Sequence, residues 1–520
     1  MIEPLENRIA PAALTGNVLT YTDYDGDLVK ITFTHATMAP DDFFFSDGTH
    51  INGDTTTQEG LTSISMTGHT GGGFTLTARQ QHGQGDGRAN IGTITSTATS
   101  LGKISIDGDL ALGSFTSGSA TTAAIQSLTV NSLGANVTTD NTKVEFQGIG
   151  SLTVKNDLSN VALILDASSV VTKSLVIDGD VIGGTFTDSA HITAHAPVAS
   201  MHIGGSVIGA AGLRSGVVDL EGGGLNSLTV GGSILRGAYI DKQSGILTVA
   251  GQAQTIQIGG DITGIVNFGN AKTVTVTGGV LGSAVDSEGD LYGGTVGTLS
   301  VGSIRGGLSN GGGTYGRAGY VEISGDIGTL KIPGGIFAGE NVNGAIRFSG
   351  MINVDGSVGT AVIGSLEGNF SQLAYISVKG VAGQDAIKTL KITHGSTFGS
   401  IVAGFGTQYV DDAGAPVDSG FGSITIGGNF TTSFITAGSN SGSDEVAGNA
   451  NDVNVSSTAT IGSVKIAGQF NGQATSGTVY HISAGVINKF QVGSAVYDHA
   501  ALHAGVNFNT IGLASVISAA

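Results

Sequence analysis

The sequence predicts an all-β protein built as a parallel β-solenoid, or β-helix, preceded by a small antiparallel β cap. Three observations lead there. Glycine supplies 88 of the 520 residues, while proline supplies 6 and cysteine none; the ordinary glycine share is only ~7%. One phrase keeps returning, as "SLVIDGDVIGG" from Ser174, "SMHIGGSVIGA" from Ser200, "SLTVGGSILRG" from Ser227 and "SITIGGNFTTS" from Ser423. Leu128, Leu152, Leu175, Met201, Leu228 and Leu247 stand second in such phrases, at steps of 24, 23, 26, 27 and 19 residues. A unit that stacks on copies of itself has a reason to recur at such a period, and a catalytic motif has none.

Each phrase alternates. Leu228 and Val230 point one way and Thr229 the other, the period of a strand with one buried face. A glycine pair follows, then the short apolar couple Ile234-Leu235, then another bend. About three short strands per turn, each ended by a residue that bends freely, suit a coil that lays its strands ~4.8 Å above those of the previous turn. The corner glycines are expected to supply φ > 0. Further copies begin near Ile256, Val274, Leu299, Leu330, Leu390, Ile424, Val464 and Phe490. The short step from Leu247 to Ile256 marks a change of face within one coil. At this period residues 98–520 have room for roughly 17–19 turns.

The N-terminal part reads differently. Residues 17–36 form two alternating strands joined at Asp25-Gly26, a strong hairpin signal. "LTSISMTG" and "GFTLTARQ" add two more strands around Gly71-Gly72-Gly73. A stack of coils needs its first open edge covered, so residues 14–97 are read as the cap and residues 1–13 as an export or anchoring segment.

Residues 1–14, "MIEPLENRIAPAAL", carry Leu5-Glu6-Asn7-Arg8 followed by small and apolar residues. This resembles the LEPR-type N-terminal motif of large surface proteins in planctomycete and verrucomicrobial bacteria, with Asn7 where proline is usual. The phrases "YTDYDGDLVKITF" and "LGKISIDGDL" look like members of that group with β-solenoid bodies. The resemblance implies export and a place at the cell surface, and it implies no activity.

Charge narrows the partners. A formal charge of −19 disfavours nucleic acid and anionic membranes as partners, because both need a concentrated positive field. No apolar run is long enough to span a bilayer as a helix. A cell-envelope component or an extracellular polysaccharide is the expected kind of partner.

Among candidate sites, Asp23, Asp25 and Asp27 place three carboxylates within five residues, the opening spacing of many calcium loops. Leu28 and Thr34 stand where a full EF-hand loop has Gly and Glu. On a hairpin tip the three could still gather one hard cation, so calcium is the one cofactor considered, against a plain solvated turn. His191, His195 and His202 could gather imidazoles, and His499 and His503 repeat the interval. Asp107-Gly108-Asp109 and Asp178-Gly179-Asp180 are turn chemistry. The run Thr273–Thr277 is too isolated to make an ice-binding face. Four stretches, 286–297, 306–319, 404–422 and 437–460, interrupt the repeat as expected corner loops. They hold Tyr292, Tyr315, Tyr409, Asp411 and Asp412, residues suited to recognition, and at least three of the four are expected on one side. No catalytic residue is assigned. Asp41-Asp42 and Asp411-Asp412 are the only adjacent Asp pairs, and the Asn-Thr-Asp, Gly-His-Gly and Arg-Ile-Lys clusters of galacturonase-type β-helices are missing. The expectation is a non-enzymatic, adhesin-like structural rod, extracellular or on the cell surface. A polysaccharide-acting β-helix lyase or hydrolase and a calcium-dependent binding module are the alternatives.

Overall fold

The computed structural model describes residues 12–46, 60–81, 83–115, 122–140, 142–166, 169–237, 243–282, 289–309, 316–341, 346–370, 372–404, 417–440, 453–454, 458–471, 481–498 and 515–518. The chain divides into two compact units, residues 1–253 and 254–520. No α-helix occurs among the described residues, and each unit is built from parallel stacked coils. The stack amounts to about 13 turns.

One coil of the first unit shows the design. Strand Ser174–Ile177 is followed by Val181–Ile182, then by His191–Ala194, and the next coil opens at Ser200–Ile203. Each strand pairs in parallel with its counterpart one coil on, giving three sheets that we call A, B and C in chain order. In sheet A, Leu128 pairs with Leu152, Leu152 with Leu175, Leu175 with Met201 and Met201 with Leu228. Sheet B stacks Leu158, Val181, Val207 and Ile234. Sheet C stacks Leu163, Ile192, Val218 and Leu247. Leu247 therefore belongs to sheet C, which explains its short distance from Ile256.

These side chains are buried, and Thr229 between Leu228 and Val230 is partly exposed. Like residues over like residues let each inward group of these ladders pack against a partner of similar shape on the neighbouring coil. Phe115 and Phe146 extend the same rule to aromatics, with ring centroids 5.0 Å apart and planes 7° from parallel.

The turn count corrects the sequence-based figure. In the second unit, sheet A runs Val274, Leu299, Leu330, Ala361, Leu390, Ile424, Val464, Phe490. The later coils are longer than the earlier ones, so a period taken from residues 128–247 overcounts. The rung at Ala361 is inconspicuous in the sequence because its inward residue is small.

The corner glycines also depart from expectation. Gly204, Gly205, Gly231 and Gly232, between sheets A and B, are not among the positive-φ residues. They are required by stacking. A Cβ on Gly205 would overlap the Asp180 carboxylate, and one on Gly231 would overlap the carbonyl oxygen of Gly204. The Asp180 carboxylate occupies that space because its Oδ1 accepts the Ser206 N–H at 2.6 Å. Asp157 accepts the Asp180 N–H in the same way, and the Ser206 hydroxyl accepts the Ser233 N–H. The Gly-Asp and Gly-Ser phrases are thus corner chemistry, each coil capping the next.

The cap begins antiparallel. Val18–Thr22 pairs with Ala13–Thr15 and with Leu28–Thr34, which pairs in turn with Gly73–Arg79. Phe43–Phe45 lies antiparallel to Leu61–Ser65. Both Gly73–Arg79 and Leu61–Ser65 then pair in parallel with later strands, so the cap hands over directly to the stack. Phe33 packs against Phe43 and Phe74, and Tyr21 against Phe45, filling its interior.

Candidate functional site

The hairpin tip in the cap gathers the three predicted carboxylates. Asp23 follows strand Val18–Thr22, Asp27 precedes Leu28–Thr34, and Asp25 sits at the tip. An oxygen from each lies within 4.8 Å of the others. Asp27 is fully buried, Asp23 nearly so, and Asp25 exposed. Asp23 Oδ1 accepts the Asp27 N–H at 2.8 Å.

A second loop closes on this tip. The N–H groups of Gly87 and Arg88 donate to Asp27 Oδ2 at 2.6 and 3.0 Å, and the Asp86 N–H donates to Asp25 Oδ2 at 3.0 Å. Gly85, at φ +86, packs where any side chain would collide with Asp27 Oδ1. That oxygen is buried and has no hydrogen-bond partner among the described residues. Burial, and then the hydrogen bond with Asp25, push the Asp23 carboxyl up to about 7. The same hydrogen bond holds Asp25 below its ordinary value, so the two share a proton near neutrality. Crowded carboxylates with one unpaired buried oxygen have the chemistry of a seat for a hard dication, which takes oxygen ligands. Sequence reasoning missed the Gly85–Arg88 contribution, because nothing local announces that a segment some 60 residues away folds over the hairpin.

The histidine group resolves into ion pairs. His191 lies on strand His191–Ala194 and not in a loop, while His202 lies on sheet A, exposed. His191 is buried, with Nδ1 3.1 Å from Asp188 Oδ1 and Nε2 3.0 Å from Asp219 Oδ2 on the next coil. Burial opposes its charge, but these two carboxylates outweigh burial and raise its pKa. Arg214 pairs with Asp188 at 2.8 Å, and His195 with Glu221 at 2.7 Å. On the same outward side of sheet C, Glu145 pairs with Lys143 and shares a hydrogen bond with Asp166. The hydrogen bond and charge of Lys143 hold Glu145 low, with a small addition from Asp166, while burial and then the contact with Glu145 raise Asp166. His499 and His503 lie outside the described residues.

Tyr292 is a strand residue and not a loop residue, on Asp290–Gly293 in sheet C of the second unit. Its hydroxyl donates to Asp290 Oδ2 at 2.9 Å and accepts from Arg317 at 3.1 Å. The Arg317 guanidinium lies 4.8 Å from the ring centre of Tyr320 and 5.7 Å from that of Tyr292, so the chain's own cation is seated on both tyrosine faces. Burial raises the pKa of the Tyr292 hydroxyl. Tyr315, Tyr409, Asp411 and Asp412 lie outside the described residues. Stretch 286–297 holds strand Asp290–Gly293 of sheet C and reaches strand Val296–Arg305 of sheet A, so Gly294 and Thr295 stand at the corner between them. Residues 286–288, 310–315, 405–416 and 441–452 lie outside the described residues, and with them the side on which the four stretches were expected to meet.

Among the described residues no helix is long and apolar enough to cross a membrane. No family model, no curated protein and no solved structure matches this chain.

Proposed function

We propose that the protein is a non-enzymatic structural scaffold of the cell surface or extracellular space, used in envelope architecture or adhesion. The observation that carries this reading is the continuity of the ladders: inward positions, corner glycines and corner caps all serve the contact between one coil and the next. Export and surface placement are supported by the resemblance of Leu5-Glu6-Asn7-Arg8 to the LEPR-type motif. The test is to locate the protein on cells with an antibody, using the chain with and without residues 1–13. Surface labelling that disappears on truncation, with the truncated chain still folded, is expected. A cytosolic signal from the intact chain would overturn the reading.

A calcium-dependent binding module is a second reading, favoured by the unpartnered buried oxygen of Asp27. Its pH dependence has a definite sign. Asp23 has a folded pKa raised to about 7, so its contribution to stability is complete below the unfolded value of ~3.9 and is lost as pH rises through 7. A bound dication would replace the shared proton. Calcium is therefore expected to raise the unfolding temperature more at pH 8 than at pH 5.5 and to release protons on binding, with Asp27→Asn abolishing both effects. A calcium response that is absent, or unchanged in Asp27→Asn, would sink this reading.

A further inference from the structure

The outward face of sheet A in the second unit carries an aligned row of cations. Two outward columns flank the buried ladder. One runs Thr298, Thr329, Thr360, Thr389, Ser423, Ser463. The other runs Ser300, Lys331, Val362, Lys391, Thr425, Lys465 in the same register. Lys331, Lys391 and Lys465 are all exposed. They recur at every second coil, so their strand positions lie about 10 Å apart along the stacking direction. Neither column contains an acidic residue, although acidic residues outnumber basic ones 40 to 21 in the chain. Asp326 precedes its strand and is engaged at the corner, where its Oδ1 accepts the Ser357 N–H at 2.7 Å.

We propose that this face binds a linear acidic polysaccharide laid along the stacking direction, its carboxylates meeting the lysine row and its hydroxyls meeting the Thr/Ser column. Three features favour that partner. The lysines form a line and not a patch, which suits an extended polymer. Their spacing gives a low linear charge density, whereas duplex DNA carries a charge per ~1.7 Å of axis. The neighbouring column is a row of hydroxyls, donors and acceptors that suit a polyol. The chain's overall negative charge does not forbid the contact, because at physiological salt charges beyond ~8 Å are largely screened. This deepens the scaffold reading by naming the class of partner. Binding by purified protein does not depend on where the protein resides, so failure here leaves the localisation result untouched.

The experiment titrates the full chain, in EDTA, with alginate as the linear polyuronate and with single-stranded DNA of matched length. The variant is the triple substitution Lys331→Gln, Lys391→Gln, Lys465→Gln, and the charge-matched control is Lys30→Gln, Lys155→Gln, Lys173→Gln. Both sets are exposed, and unchanged thermal unfolding verifies that the fold survives. Alginate binding by the native chain should weaken with salt, fall roughly tenfold or more in the ladder variant as ionic contacts are removed, and hold in the control. Absence of alginate binding, equal loss in both triples, or tighter binding to the DNA would each overturn the proposal.

Discussion

Val230→Asp should unfold the coils around residues 200–249, or lower the unfolding free energy by several kcal/mol, because it places an unpaired carboxylate in a dry stack of aliphatic side chains. Val230 is fully buried and pairs with Ile203 on the preceding coil. Thr229→Asp, one residue away on the outward side beside the exposed His202, should change stability by less than about 0.5 kcal/mol. Thermal or denaturant unfolding of the two variants measures the contrast. Equal damage from both would mean that the inward and outward sets are wrongly assigned.

Gly231→Ala should be nearly as harmful, although it adds a single methyl group. The new Cβ would overlap the carbonyl oxygen of Gly204, a backbone atom fixed by the strands on either side, and relief requires the two coils to separate. A loss of about 3 kcal/mol is expected, the upper end of the usual range for overpacking. Gly223→Ala provides the comparison. Gly223 has φ +69 and open space around its Cβ position, so the cost there is the left-handed backbone alone, about 1–2 kcal/mol. If Gly231→Ala proved the milder of the two, the close approach of coils would not be the reason for the glycine pair.

The architecture was readable because stacking imposes its period on the sequence directly. The inward residues Leu228 and Val230, the corner Gly231-Gly232 and the step to sheet B all sit within eleven consecutive residues. What was less readable lies where the structure depends on distant segments. The length of later coils could not be taken from the earlier ones, since the segments between sheets B, C and A are free to vary. The Asp23, Asp25 and Asp27 group was visible as local spacing, but the burial of Asp27 under Gly85–Arg88 was not. The histidines misled for a related reason: His191 opens one strand and His195 directly follows it, while their partners Asp219 and Glu221 come from the next coil. The lysine row has the same character, since Lys331, Lys391 and Lys465 are far apart in sequence and become neighbours only through the register of sheet A.

The corner between sheets A and B is held to two or three residues, as between Ile177 and Val181, Val230 and Ile234, and Ile426 and Phe430. The connections at either end of sheet C vary freely in length. This division has a consequence for heredity. A tandem duplication of the DNA encoding one coil would insert a segment whose A–B corner already fits its neighbours above and below, and no ladder would change register. The number of coils is then a trait that can grow or shrink by whole units. New sequence can meanwhile be trialled beside sheet C without disturbing the stack, so length and surface character can evolve independently in the same gene.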